Sequence, residues 1–237
     1  MSSVSIIIPN LNDNEYLEQL VCQLEKFRPS AGWEIVVVDG GSTVYPGTIA
    51  TKVDQLIVSK AGRATQLNAG IASSKGHLLW MLHADSSINA EVCRAIETLS
   101  ERGLAEGHPD RIPLWGRFNV QFSQEGNRLS IIAFFMNHRS RITGICTGDQ
   151  GIFVERSLLD RIGGVPDQKL MEDIEMSRRL KCVCNPECRK EHLHTSPRRW
   201  RHAGVVRTII FMWAMRAAYF VGVSPDRLAR VYYGSVY

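Results

Sequence analysis

Short runs of β-branched and other apolar residues alternate with longer amphipathic stretches through the first hundred residues. Four of these runs predict strands, at 4–8, 34–38, 56–58 and 78–82, and the first is continuously apolar, as expected for a strand buried on both faces. The stretches between them place apolar residues at helical spacing, most clearly at 16–27 and 64–73. Strands that alternate with helices predict parallel strands joined by right-handed crossovers. We therefore expect an α/β fold with a doubly wound, mainly parallel sheet flanked by helices.

Two asparagines are expected to start helices. Asn12 stands three residues before Glu15, which is the spacing of a capping box. Asn89 precedes a stripe of inward-facing positions that includes Val92 and Ile96. At both places we expect the asparagine side chain to accept a hydrogen bond from the first turn of its helix.

The second half of the chain is less regular. It predicts a strand at 114–122, a helix at 128–138, a short strand at 151–154, a helix at 170–180 and a long apolar helix at 205–221. We expect one domain over residues 1–200, made of the halves 1–100 and 101–200, and a C-terminal helical tail over 201–237.

Positive charge is concentrated towards the end of the chain. From Arg189 onward there are nine Lys or Arg residues and two Asp or Glu residues. Such a segment is either a solvated basic face or a contact for an anionic partner, such as a diphosphate, a lipid surface or nucleic acid. The apolar helix is long enough to cross a bilayer, but Arg207 and Arg216 would each cost about 3 kcal/mol at its centre. We expect this helix to pack on the domain, to lie on a membrane surface or to pair with a second copy in a homodimer.

The cysteines fall into two groups. Cys22, Cys93 and Cys146 stand in apolar-periodic segments and are expected in the core. The others share thirteen residues with two histidines, at Cys182, Cys184, Cys188, His192 and His194. These are enough ligands for zinc, although the Cys-x-Cys spacing fits no common zinc motif. No secretory signal precedes the first predicted strand, so we expect a cytoplasmic protein, with or without contact at the inner face of the membrane.

Three aspartates stand at the ends of predicted strands: Asp13, Asp39 and Asp85. Ligands of open parallel sheets bind beyond the carboxyl ends of the strands. A carboxylate there accepts hydrogen bonds from a nucleotide base or ribose, or supplies oxygen to the hard cation of a diphosphate. Any one of these acids has an alternative interpretation as a turn former or helix cap. Three in succession predict a nucleotide-diphosphate site.

The residues around these aspartates carry a family resemblance. Segments 5–13, 34–42 and 83–86 resemble the family 2 glycosyltransferases of GT-A fold, and 62–64 with 68–70 resemble the segment which that family places near the nucleotide. Met171-Glu172-Asp173 and 196–200 resemble the arsenosugar-biosynthesis subgroup. The resemblance implies an inverting, metal-assisted enzyme that moves a sugar from a nucleotide-diphosphate donor, such as a UDP-sugar, to an acceptor hydroxyl. A lipid, a small metabolite or a glycan would suit as the acceptor, and no nucleic-acid partner is implied.

The resemblance also implies which residues bind the donor. It places the nucleotide on the half 1–100 and the acceptor on the half 101–200. The donor-binding residues would be Pro9, Asn10, Asn12, Asp13, Asp39, Gly40, Ser42, Arg63, Asn68, His83, Ala84, Asp85 and Arg199. Asp85 and His83 would hold Mn²⁺ or Mg²⁺. His83 stands where the family commonly has the first acid of Asp-x-Asp, and imidazole suits Mn²⁺ better than Mg²⁺. Asp13 stands where the family usually has Glu.

By the same resemblance Asp173 is the catalytic base, and Glu172 orients it or binds the acceptor. Successive helical residues point about 100° apart, so only one of the two can face a given point. The acceptor would contact Gly148, Asp149, Gln150 and Trp200. We expect the side chains of Asp39, Asp85 and Asp173 to converge on one cleft.

Three other functions are compatible with an α/β sheet of this kind. A nucleotidyltransferase needs a glycine-rich, basic loop after the first strand, and 10–14 contains neither glycine nor a basic residue. A dehydrogenase is disfavoured because no G-x-G-x-x-G follows a strand. A protein that binds nucleotide sugars without turnover stays open, since His83 departs from the metal motif.

Overall fold

The computed structural model describes residues 3–104, 112–123, 127–196 and 205–236. The apolar runs of the first half form four strands: β1 (Val4–Asn10), β2 (Glu34–Asp39), β3 (Gln55–Val58) and β4 (Leu78–Met81). β1 lies between β2 and β4, and all four are parallel. Ile6 and Ile8 of β1 face one core while Ile7 faces the other, because side chains alternate along a strand. A run buried on both faces is therefore continuously apolar, as expected.

The second half completes the sheet. Its strands are β5 (Ser86–Ser87), β6 (Trp115–Phe122), β7 (Phe153–Glu155) and β8 (Glu187–Thr195). Over the described residues the order is β3-β2-β1-β4-β7-β6-β8-β5. β7 runs antiparallel to β4 and β6, β8 is parallel to β6, and β5 is antiparallel to β8. The predicted α/β fold is confirmed, and its sheet is mixed. Neither β5 nor β8 is among the strands expected from the sequence.

Helices cover both faces of the sheet. They are α1 (Asn14–Ala31), α2 (Arg63–Ser73), α3 (Ala90–Leu104), α4 (Asn127–Thr143), α5 (Arg156–Arg161), α6 (Glu172–Lys181), α7 (Val205–Phe220) and α8 (Pro225–Val236). α1 and α3 pack on one face, and α2, α5 and α6 pack on the other. α4 lies against β6, and the tail helices α7 and α8 pack against the start of α6.

A row of buried aromatic rings joins the two halves of the sheet. Trp80 of β4 lies 5.8 Å from Phe118 of β6, which lies 5.4 Å from Phe153 of β7, measured between ring centroids. Trp33 extends the row at 6.1 Å from Trp80. Truncation of such a buried ring to alanine typically costs about 3–5 kcal/mol. The row therefore fixes the second half against the parallel strands that carry the site.

Two sequence expectations are wrong. Asp13, not Asn12, is the residue before α1, and it makes no side-chain cap. Asn12 has a left-handed φ of 58°, and its Oδ1 accepts from the Thr43 backbone instead, so the capping box is absent. Cys22 is exposed, beside Lys52, because it lies about 100° around α1 from the buried Val21.

Other local expectations are confirmed. Oδ1 of Asn89 accepts a hydrogen bond of 2.9 Å from the Val92 backbone at the start of α3. Cys93 and Cys146 are buried. In the tail, Met215, Leu228 and related residues pack against the loop before α6 and its first turn. Among the described residues, no helix combines the length and apolarity that a membrane crossing requires.

Candidate active site

A cavity of about 810 Å³ opens at the carboxyl ends of β1 and β4. One wall of this cavity is mainly polar, and we call it the strand wall. The strand wall is formed by Pro9, Asn10, Leu11, Asp13, Gly62, Arg63, Gln66, His83, Ala84, Asp85 and Asp149. These residues come from two strand ends, the start of α2 and the turn before β7. The structure therefore brings together most of the residues predicted for the donor.

Asp39 supports the strand wall from behind. It is 1% exposed. Its Oδ1 accepts from Asn10 (2.9 Å) and from the Ser42 hydroxyl (2.5 Å), and its Oδ2 accepts from the backbone of Gly41 and Ser42. Burial raises the pKa of Asp39, but the hydrogen bonds from Ser42, Asn10 and Gly41 outweigh burial and hold that pKa below its usual value. Asp39 therefore organises the turn after β2 and does not line the cavity.

Further hydrogen bonds clasp the ends of β1 and β2 to each other. The Asn12 backbone donates to the Ser42 hydroxyl at 2.8 Å, and Asn12 Oδ1 accepts from the Thr43 backbone at 2.8 Å. Gln66 of α2 donates to the backbone oxygens of Asn10 and Val38. A Cβ at Gly40 would lie 3.1 Å from the Gln66 side chain, so glycine leaves room for this contact. The strand ends are thus held in place without a ligand.

An ion pair connects the strand wall to a buried carboxylate, and we call its two residues, Arg63 and Glu172, the floor of the site. Arg63 Nη1 is 3.2 Å from Oε1 of Glu172, which is 3% exposed. Burial raises the pKa of Glu172, and the charge of Arg63 opposes that effect. Burial lowers the pKa of Arg63, but the negative charges of Glu172, Asp173 and Asp149 outweigh it and raise that pKa. Arg63 therefore keeps its positive charge beside three carboxylates.

Asp173 is not among the residues that line the large cavity. It lines a small cavity of about 20 Å³ that shares Pro9, Arg63 and His83 with the large one. Its Oδ2 accepts from the Gly148 backbone at 3.0 Å, and its Oδ1 accepts from the Ile174 backbone at 2.8 Å. Met171, which precedes α6, has a left-handed φ of 66°, and a left-handed conformation at a non-glycine residue costs about 1–3 kcal/mol. This turn places Glu172 in the floor and Asp173 beside the cavity.

His83 is held by the turn before β7. Its Nδ1 lies 3.1 Å from Oδ1 of Asp149. Its Nε2 is buried, and no hydrogen-bond partner for it is found among the described residues. That atom faces Gly148, because a Cβ built at Gly148 would lie 2.2 Å from Nε2. His83 and Asp173 thus meet Gly148 from different sides, and the position has no space for a side chain.

The residues present fit a divalent cation held together with a diphosphate. No three His, Cys, Asp or Glu residues within the described ranges, the Cys182–His194 region included, are arranged to hold a metal. Mg²⁺-type sites commonly use only one or two carboxylates and take their other oxygens from substrate phosphates and water. Asp85 and Asp149 line the cavity and supply such carboxylates. The Nδ1 of His83 is occupied by Asp149, so His83 flanks the two acids.

Several predicted residues have other contacts. Asn68 exchanges two hydrogen bonds with the Val165 backbone, at 2.8 and 3.0 Å, and so fixes the loop before α6. Gln150 is fully buried, donates to the Ser140 hydroxyl and caps the turn that contains Gly148. The structure does not bring either side chain into the cavity. Arg199 and Trp200 lie outside the described residues.

The opposite wall of the cavity was missed by the sequence analysis. We call it the helix wall, and α4, α7 and α8 supply most of it. Its residues include Phe122, Ile131, Ile132, Phe135, Met136, His138, Arg139, Thr208, Ile209, Met212, Trp213, Arg216 and Tyr233. The sequence of α4 contains an indication of this wall, because its apolar residues lie on every face of the helix instead of along one stripe.

Comparisons with known proteins agree with this geometry. Residues 5–162 match the family model described as Glycosyl transferase family 2. An uncharacterized glycosyltransferase of Mycobacterium tuberculosis is 28% identical over 196 residues, which cover 78% of this chain and 71% of that protein. A mannosyltransferase from Pyrobaculum calidifontis, solved with GDP-Man and Mn²⁺, has a TM-score of 0.62 at 19% identity, covering 99% of this chain and 69% of that one. TarS from S. aureus (residues 1-349), solved with UDP-GlcNAc, has a TM-score of 0.59 at 19% identity, covering 81% of this chain and 58% of that one. The chain belongs to glycosyl transferase family 2 and has the GT-A fold.

Proposed function

We propose that this protein is an inverting, metal-assisted glycosyltransferase that uses a nucleotide-diphosphate sugar, with a UDP-sugar as the expected donor. One observation carries the proposal. Arg63, Asp85 and Asp149 line one wall of a large cavity at the carboxyl ends of parallel strands, and Asp173 lines a small cavity that shares Pro9, Arg63 and His83 with it. Placement in the arsenosugar-biosynthesis subgroup is part of the proposal and rests on Met171-Glu172-Asp173 and residues 196–200.

The strand wall is assigned to the donor. Asp85 and Asp149 would hold Mn²⁺ or Mg²⁺, which neutralises charge on the leaving diphosphate when it is bound. Arg63 retains its positive charge on the same wall. Asp39 fixes the turn against which the nucleotide would lie, through its hydrogen bonds to Ser42 and Asn10.

Asp173 is assigned as the base. In the reaction, its carboxylate takes the proton of the acceptor hydroxyl, and the acceptor oxygen forms a bond to the anomeric carbon. The bond from that carbon to the diphosphate oxygen breaks, and its electron pair leaves with the nucleoside diphosphate. The acceptor gives its proton to Asp173, and the donor supplies both the sugar and the nucleoside diphosphate that leaves.

The neighbouring carboxylates favour inversion. A retaining route by double displacement needs a second carboxylate that attacks the anomeric carbon. Glu172 is buried and paired with Arg63, and Asp149 is paired with His83. Glu172 is thus held by Arg63, and Asp149 is assigned to the metal beside His83, so Asp173 is the carboxylate left for the role of base.

One alternative keeps specific support, namely nucleotide-sugar binding without turnover. His83 replaces an acid of the usual metal motif, and its Nδ1 is occupied by Asp149. The alternative predicts donor binding without any release of nucleoside diphosphate. A nucleotidyltransferase has less support, and a cytoplasmic location remains a prediction from the sequence.

The test is a thermal-shift panel of UDP-, GDP- and other nucleotide sugars with Mn²⁺ or Mg²⁺, followed by an assay of donor hydrolysis without acceptor. A ligand at a hundred times its Kd stabilises a folded chain by about 2.7 kcal/mol, which corresponds to roughly 5–10 °C in Tm at this size. We expect a metal-dependent rise for one nucleotide and slow release of its diphosphate. A panel that leaves Tm unchanged at millimolar ligand would contradict donor binding, and binding without hydrolysis would favour the alternative.

A further inference from the structure

The helix wall exposes an unusual amount of apolar surface at the mouth of the cavity. Ile131 is 55% exposed and Phe135 58% exposed on α4, while Trp213 is 65% exposed on α7, and all three line the cavity. Phe134 and Ile210 extend this surface beside them, at 61% and 64% exposed. Large apolar side chains gathered around one opening are typical of a site for an apolar ligand or a membrane surface.

Two arginines lie among these apolar residues. Arg139 of α4 and Arg216 of α7 both line the cavity. The Nε and Nη2 of Arg139 and the Nε of Arg216 are buried, and no hydrogen-bond partner is found for them within the described residues. Buried guanidinium N–H groups without acceptors are costly, and an anion would satisfy them. The wall therefore combines positive charge with hydrocarbon-binding surface.

The charge of the proposed base acts on one of these arginines. Burial and the neighbouring Arg216 lower the pKa of Arg139 to about 10, while Asp173 acts to raise it. An anion bound by the two arginines would thus lie near both of them and within electrostatic reach of Asp173.

From this combination we propose that the acceptor is a lipid with an anionic headgroup. Its headgroup contacts Arg139 and Arg216, and its hydrocarbon chain lies between α4 and α7, against Phe135 and Trp213. The acceptor hydroxyl then projects towards Asp173. This inference rests on the proposed function, because it assigns the acceptor of the same site. Charge complementarity selects an anionic lipid over a neutral one, and the apolar surface selects a lipid over a free phosphate.

The test measures binding of three soluble probes by the fluorescence of Trp213: dihexanoylphosphatidic acid, dihexanoylphosphatidylcholine and glycerol 3-phosphate. We expect the phosphatidic acid to bind at least about tenfold more tightly than either of the others, because only it offers both an anion and hydrocarbon. The Trp213→Phe variant should lose the fluorescence change, which assigns the signal to this site. Equal binding of glycerol 3-phosphate would overturn the lipid assignment, and equal binding of phosphatidylcholine would overturn the role of the arginines.

Matched variants separate the two features. Arg216→Gln should weaken binding of the phosphatidic acid about fivefold, whereas Arg207→Gln, on an exposed position of the same helix, should not. Phe135→Ser should weaken binding of both lipids, whereas Phe220→Ser, exposed and away from the cavity, should not. The proposed binding mode is wrong if Arg207→Gln weakens binding and Arg216→Gln does not. It is equally wrong if Phe220→Ser weakens binding and Phe135→Ser does not.

Nucleotide binding distinguishes failure of this inference from failure of the proposed function. The rise in Tm caused by the nucleotide and Mn²⁺ should be unchanged in Arg216→Gln. If that rise disappears while lipid binding persists, Arg216 belongs to the donor site and the inference is wrong. A Tm rise with no lipid binding refutes the inference and leaves the glycosyltransferase proposal standing. Lipid binding with no nucleotide response refutes the proposed function, and with it the acceptor role.

Discussion

The strand wall and the helix wall of the cavity differ in the kind of surface and charge that they present to a ligand. On the strand side, the oxygens of Asp39 receive four hydrogen bonds, and Asn12 and Gln66 clasp the strand ends. On the helix side, Arg139 and Arg216 bury N–H groups for which the described residues provide no acceptor, and large apolar side chains stay exposed. The first wall is held by its own hydrogen bonds, although Asn10 Oδ1 and His83 Nε2 are buried there without a partner among the described residues, whereas the second combines cationic N–H groups that lack an acceptor with exposed apolar surface. Asp173 lies beside this cavity, in contact with the turn at Gly148.

The largest expected effect comes from removing the base. Asp173→Asn should lower kcat by about 10²–10⁴-fold, which is the usual contribution of a positioned general base. The Tm rise caused by the nucleotide should persist, because the donor is assigned to the strand wall. Asp226→Asn, on the exposed tail helix, is the matched control and should leave kcat unchanged. Near-normal turnover in Asp173→Asn would mean that another group takes the proton.

The next effect comes from the contact between Gly148 and His83. Gly148→Ala would place a Cβ 2.2 Å from His83 Nε2, so either the ring or the turn must move. We expect a loss of about 3 kcal/mol in unfolding free energy and a clear fall in kcat, because the Gly148 backbone also holds Asp173. Denaturant unfolding and steady-state kinetics measure the two. Gly234→Ala, with open space around it, should not destabilise the protein. Wild-type behaviour of Gly148→Ala would show that the turn is looser than the contact implies.

A smaller effect is expected from the ion pair beneath the site. Arg63→Met leaves the buried carboxylate of Glu172 without its partner, and we expect a loss of about 2 kcal/mol. The double variant Arg63→Met/Glu172→Leu should recover much of that loss, since apolar residues can replace a buried pair. Urea unfolding of the wild type, Arg63→Met, Glu172→Leu and the double variant gives the coupling free energy between the two positions. If the losses in unfolding free energy of the two single variants simply add in the double variant, the ion pair contributes nothing to stability.

The smallest effect concerns pH and the amino end of β2, opposite the strand wall. Glu34 accepts hydrogen bonds from Ser5 (2.6 Å), the Lys75 backbone (2.7 Å) and Gln55 (3.2 Å). Burial raises the pKa of Glu34, but these bonds outweigh it and lower that pKa below 4.5. A lowered pKa stabilises the fold above the unfolded value of 4.5, and this contribution is lost as pH falls through the folded pKa.

Unfolding free energy measured from pH 7 to pH 3 should therefore fall less steeply in Glu34→Gln than in the wild type. The variant itself should be less stable at pH 7. Glu101→Gln, at an exposed position, should keep the wild-type slope. An unchanged slope in Glu34→Gln would assign the acid sensitivity to other carboxylates.

The strand wall was the more predictable of the two regions. β-Branched runs fix the strands, and the carboxyl ends of parallel strands must share one edge, so Asp13, His83 and Asp85 could be placed together from the sequence. The sequence does not show which of these side chains form hydrogen bonds within the protein and are therefore not available to a ligand. Asn68 and Asp39 have the residue types of ligand contacts, but their partners are decided by tertiary packing. The pair of Arg63 and Glu172 spans 109 positions, and no local pattern marks it.

The helix wall was hidden because its residues resemble those of a core. α7 is apolar, and α4 distributes its apolar residues without a clear stripe, so neither pattern marks the face that lines a cavity. Only the fold shows that Phe135 and Trp213 line the same cavity as Arg139 and Arg216. The capping-box pattern at Asn12 failed for a related reason, since the Thr43 backbone competes for the same oxygen.

The central claim is that a single carboxylate, Asp173, activates the acceptor for one direct displacement at the boundary of the two walls. The most direct test is the anomeric configuration of the transferred sugar, determined by proton NMR on the first product formed from an α-linked nucleotide sugar. A single displacement predicts a β-linked product. An α-linked product would require a second nucleophile or a different path, and would contradict the role given to Asp173.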